Sequence, residues 1–66
     1  MNNIKVERAR LNMSKKDLAE AIDVSAYSVA LWEKDINPCS ARNLAKMCEL
    51  FGVTMDYLVG RSEARK

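Results

Sequence analysis

The chain of 66 residues has no histidine, one proline, two glycines and two cysteines. With no imidazole and only Cys39 and Cys48 as thiols, the sequence speaks against a zinc site and against a disulfide framework. It has no apolar run long enough to cross a membrane and no basic-then-apolar leader of the secretory kind. Strand-like alternation, internal repeats and low-complexity segments are missing too. Catalysis finds no foothold, because there is no paired-carboxylate cleft, no glycine-rich phosphate loop and no activated nucleophile. No cofactor, metal or small-molecule ligand is expected. What remains is 48% hydrophobic residues in short periodic groups. That suffices for one small domain, near the size at which a folded chain buries only ~60% of its extended surface.

The groups are organised around Ser14 to Glu33. Ser14 is a good helix N-cap, and Asp17 three residues on completes a capping box. Leu18, Ala21 and Ile22 then give one apolar stripe about two turns long. Asp23 ends the stripe, since a short acid tolerates the left-handed conformation there. Val24 follows as a buried plug. Ser25 caps a second helix whose inner face is Val29 and Trp32, extended by Ile36. Two helices this short share Ala21, Val24 and Val29 as one contact only if they cross steeply, as in a helix-turn-helix.

The flanking segments read as helices as well. Asn2 or Asn3 caps a first helix to about Leu11, with Ile4, Arg8 and Leu11 on one face and Ala9 beside them. Asn12 ends it, and Met13 tucks inward. After an Asn37-Pro38 loop, Ser40 caps a helix from Ala41 to Phe51 with Leu44, Met47, Cys48 and Phe51 as its core stripe. Gly52 ends that helix, and Val53 plugs the gap. Thr54 caps a last helix, Met55 to Val59, which Gly60 closes. The expectation is an all-α, compact bundle of five short helices around a central helix-turn-helix. Residues 1–60 form the domain, and 61–66 a polar tail that frays. Net charge is only +2, yet Lys5, Arg8, Arg10, Lys15 and Lys16 crowd the start against Glu7 alone. Such asymmetry suggests a polyanionic partner.

Ile4, Arg8, Leu11, Ser14, Asp17-Leu18-Ala19, Val24-Ser25, Val29, Trp32-Glu33, Pro38, Leu44, Gly52-Val53-Thr54 and Asp56-Tyr57-Leu58 together resemble the phage repressor and Cro family of helix-turn-helix proteins, the Xre type. The likeness runs from about residue 4 to 60. It implies a five-helix domain that binds double-stranded DNA at an operator as a dimer, in a transcriptional switch such as a repressor. Two positions depart from the family pattern, which has Gly where this chain has Asp23 and Asp35. Asp23 costs ~1 kcal/mol relative to Gly, so the turn survives. Asp35 puts a negative charge in a loop facing phosphates, where it either points away or weakens binding.

Family docking lays the second helix of the motif, about Ala26–Lys34, in the major groove. The resemblance makes Ala26, Tyr27 and Leu31 base-facing, with Ser28 joining them if it faces the groove. None of these carries the amide or guanidinium that reads adenine or guanine bidentately. Readout is therefore expected to favour thymine methyls, assisted by DNA shape. Lys15 and Lys16 at a helix N-terminus form a phosphate seat, and Lys34, Asn37 and Arg42 grip the backbone on the other side. The family also implies an internal ion pair between Arg8 and Glu33.

Blander roles compete for several residues. Lys15 and Lys16 also suit a solvated helix start, Trp32 and Met47 suit packing, and Cys39 is an exposed thiol. The apolar outer face of Ala26, Tyr27, Ala30 and Leu31 equally suits a protein-interaction module of the same fold. A weak homodimer is expected through Leu50, Met55, Tyr57, Leu58 and Val59, formed mainly on DNA. Free cysteines without a leader suit a bacterial or phage-encoded protein of the cytoplasm, nucleoid-associated when bound.

Overall fold

The computed structural model describes residues 1–66. Five helices follow one another: α1 (Ile4–Arg10), α2 (Lys15–Ile22), α3 (Ala26–Glu33), α4 (Ala41–Phe51) and α5 (Met55–Leu58). Four begin in the same way. The hydroxyls of Ser14, Ser25, Ser40 and Thr54 accept the N–H three residues on, from Asp17, Ser28, Asn43 and Tyr57. At α2 the box is complete, since Asp17 Oδ2 accepts the Ser14 N–H at 3.0 Å in return. Helix α1 differs. Asn3 occupies the cap position without a side-chain bond to the helix, since its Nδ2 donates to the Tyr57 carbonyl at 2.7 Å, and Asn2 Oδ1 accepts the Ile4 N–H instead.

Every helix ends on a left-handed residue: α5 at Gly60, φ 91°, after which the Arg61 N–H donates back to the Asp56 carbonyl at 2.8 Å, and the other four with an apolar residue following. Asn12, Asp23, Asp35 and Gly52 have φ of 55°, 61°, 56° and 70°. The residue after each donates its N–H back five positions: Met13 to Arg8, Val24 to Ala19, Ile36 to Leu31 and Val53 to Cys48. This is the Schellman ending, in which an apolar residue after the left-handed one packs against the helix it closes. Met13, Val24 and Val53 do so. Ile36, closing α3, stays 60% exposed, outside the inner face of α3 on which it was expected.

The core joins Ile4 of α1, Leu18, Ala19 and Ile22 of α2, Val29 and Trp32 of α3, Met47 and Phe51 of α4, and Tyr57 and Leu58 of α5. Several expectations change here. The α2 stripe uses Ala19 and leaves Ala21 exposed, because a helix turned to bury Leu18 and Ile22 carries the intervening Ala19 inward. Val24 is half-buried. Leu11 lies beyond the last turn of α1 and is 46% exposed, and Ala9 is exposed as well. Cys39 is half-buried and packs on the core, and burial pushes its thiol up to about 11. Helix α5 stops at Leu58, one residue early.

The inner face of α1 is Ile4, Glu7 and Arg8, and Glu7 is wholly buried. Its carboxylate accepts bonds from Tyr57 Oη at 2.7 Å, Arg65 Nη2 at 2.8 Å and Arg65 Nε at 3.1 Å. Arg10 Nε approaches at 3.3 Å. The Arg65 guanidinium, aided by the Tyr57 hydroxyl against the cost of burial, lowers the Glu7 pKa to about 2. The segment after Gly60 is thus docked where fraying was expected, and Thr54 N–H also donates to the Arg65 carbonyl at 2.8 Å. A buried carboxylate needs these donors, which outweigh the freedom of the six-residue segment.

Candidate nucleic-acid interface

Two helix starts make the candidate interface. At α2 the capping box occupies Ser14 and Asp17, leaving the Lys15 and Lys16 amides at the positive end of the helix dipole without a backbone partner. Both lysine side chains are exposed. That is suitable surroundings for a phosphate. At α3, Ser25 Oγ accepts the Ser28 N–H at 3.1 Å and donates to Ser28 Oγ at 3.0 Å. The Ser28 hydroxyl proton stays free for an outside acceptor.

Helix α3 buries Val29 and Trp32. Its remaining surface presents Ala26 and Tyr27, the latter 73% exposed, with Ser28, Ala30 and Leu31 half-buried around them. Apart from Glu33 at its end, the helix carries no charge. Glu33 is engaged: Arg8 Nε donates to Oε2 at 2.7 Å and Nη2 to Oε1 at 3.3 Å. Arg8 Nη1 also donates to the Met13 carbonyl at 2.8 Å, so one guanidinium sets the end of α3 against the entry to α2. Lys34, Asn37 and Arg42 are exposed, the first two in the loop after α3 and Arg42 in the first turn of α4.

Three contributors escaped the sequence. Lys46 Nζ donates to the Ile22 carbonyl at 3.2 Å and caps the end of α2. Asn2 Nδ2 donates to the Trp32 carbonyl at 2.6 Å and to Asp35 Oδ1 at 2.8 Å, which settles where the Asp35 carboxylate points. Glu7 is the third. The signal for Asn2 was its capping chemistry, and nothing local announced its second use. The expected dimer surface also shrinks. Tyr57 and Leu58 are buried in the protein's own core, because α5 is too short to bury one face and present another. Leu50 stays 39% exposed, with Met55 and Val59 half-buried.

Residues 4–58 match the helix-turn-helix family, and the chain belongs to that family, as its Xre-like pattern indicated. Among curated proteins it is similar to the HTH-type transcriptional regulator ImmR of Bacillus subtilis (strain 168), with 27% identity over 63 residues. That alignment covers 96% of this chain and 50% of ImmR, so the chain spans half the length of this relative. Family membership supports DNA binding by residues 4–58 in transcription regulation. No helix is long and apolar enough to cross a membrane.

Proposed function

We propose that the chain is a sequence-specific double-stranded DNA-binding regulator, a repressor, that lays α3 in the major groove of an operator in the bacterial cytoplasm. The observation that carries this reading is a 73%-exposed Tyr27 on a helix otherwise anchored by Val29, Trp32 and Glu33, beside the cationic start of α2. Ala26, Tyr27, Ser28 and Leu31 face base edges, with methyl contacts to thymine and hydroxyl contacts from Tyr27 and Ser28. Lys15, Lys16, Lys34, Asn37 and Arg42 hold phosphates. The protein acts as a weak dimer, closed on DNA through Leu50, Met55 and Val59. With four cations per half-site, eight neutralised phosphates give a log–log salt slope of about −7.

Selection of bound sequences from a random duplex pool at two salt concentrations tests this. An inverted repeat with half-site centres roughly 34–36 Å apart is the expected product. A second reading, a protein-interaction module, is favoured by the lack of any amide or charged group on the outer face of α3. It gains if the selection yields only weak, sequence-independent binding, or if Lys15→Glu and Arg42→Glu leave function in cells unchanged.

A further inference from the structure

Asn2 precedes α1, yet both of its amide protons are used on the far end of α3. Its Oδ1 accepts the Ile4 N–H at 3.0 Å, while Nδ2 donates to the Trp32 carbonyl and to Asp35 Oδ1. The Trp32 carbonyl also accepts the Asp35 N–H at 3.0 Å, so the amide completes a carbonyl that the Schellman ending half fills. Asp35 has no cation within salt-bridge distance, as the protein's four ion pairs join other residues. Asn2 is the side chain that holds its carboxylate.

Asp35 lies between the two loop residues assigned to phosphate, Lys34 and Asn37. A free carboxylate there repels the ligand those residues attract. We infer that Asn2 is a positioning residue of the DNA interface, a role that rests on the DNA-binding reading above. By drawing the Asp35 carboxylate back to the start of α1, it keeps that charge off the phosphates and fixes the loop that carries Lys34. Asn2 itself touches no DNA. Simple capping of α1 is the competing role, and it makes no distinction between Asp and Gly at position 35.

The two roles separate in a four-protein cycle: the parent, Asn2→Ala, Asp35→Gly and the double variant, each titrated against the selected duplex over a range of salt, with thermal melts alongside. With Asp35 present, Asn2→Ala weakens binding about three- to tenfold and flattens the log–log salt slope by about one, the signature of one lost phosphate contact. With Gly at position 35 the same change costs less than about twofold, since no carboxylate is left to release. Equal losses in both backgrounds, or a lowered melting temperature with affinity and slope unmoved, overturn the inference. If the parent shows no salt-dependent duplex binding, the DNA-binding reading fails and this role falls with it. Failure confined to the variants leaves that reading intact.

Discussion

The surroundings of Glu7 and the face built by α2 and α3 treat charge in contrary ways. Around Glu7 one fully buried carboxylate absorbs Tyr57, Arg65 and Arg10 from three parts of the chain. On the other face, Lys15 and Lys16 form no ion pair and stand in solvent. A charge whose partners are all internal holds the fold. A charge with none inside is available to an outside ligand. Stability and binding should therefore separate cleanly under mutation.

The largest break is Glu7→Ala, which leaves the Tyr57 hydroxyl unpaired and frees the segment carrying Arg65. It should lower stability by about 2–4 kcal/mol. In a domain this size that is a melting temperature drop of more than about 10 °C, with DNA affinity in the cold nearly intact. Thermal and urea melts decide it, and a loss below about 1 kcal/mol would remove Glu7 from the fold-holding group.

The same contact should answer to protons. The folded Glu7 pKa lies near 2 against an ordinary 4.5, so between those values the unfolded chain binds more protons than the folded one. The Glu7 contribution is complete above about pH 4.5 and is lost as the pH falls towards 2. Arg65→Ala should move the acid unfolding midpoint upwards, and an unmoved midpoint would show that Arg65 does not hold the carboxylate down.

The opposite dissociation belongs to Lys15→Glu with Lys16→Glu. Duplex affinity should fall at least about tenfold at low salt. Two acids at a helix N-terminus also suit its dipole, so the melting temperature should hold or rise by the equivalent of about 0.3–1 kcal/mol. Loss of stability together with affinity would mean that these lysines belong to the fold. The smallest effect is expected from Tyr27→Ala, about three- to tenfold in affinity with an unchanged melt, because a 73%-exposed ring contributes little to the core. A response equal on selected and scrambled duplexes would demote Tyr27 from base contact to phosphate contact.

The helix frame was legible because its punctuation is local. Each hydroxyl cap, and each of the helix ends Asn12, Asp23, Gly52 and Gly60, announces itself within five positions, and Ala41–Phe51 matches the expected α4 to the residue. Pairings across the chain have no such signature. Glu7 lies one step from Arg8 in a basic segment, where nothing local marks it for burial. Its burial depends on Tyr57 and Arg65, 50 and 58 residues away. Tyr57 and Leu58 were spent on a dimer for the same reason, since an apolar residue on a four-residue helix does not reveal whether its own core or a neighbour covers it. At the candidate interface the outward α3 positions follow from helical periodicity, and the exposed Lys15 and Lys16 from the cap at Ser14. The Asn2 bridge to Asp35, 33 positions away, could not.

The docked segment after Gly60 also bears on the order in which the molecule assembles. Pairs such as α2 with α3 and α4 with α5 are neighbours in the chain and meet early, at little cost in loop closure. The Arg65–Glu7 bond closes 58 residues at once and rewards the chain only when α1 and α5 are already in place. It is a late-forming clasp. Weakening it by Arg65→Ala should speed unfolding while leaving the refolding rate nearly unchanged, as measured on the two limbs of a stopped-flow denaturant series. A refolding rate that falls in step with stability would instead put the clasp in the folding nucleus. As a late clasp, Arg65 governs how long the folded domain persists and has little say in how fast it forms.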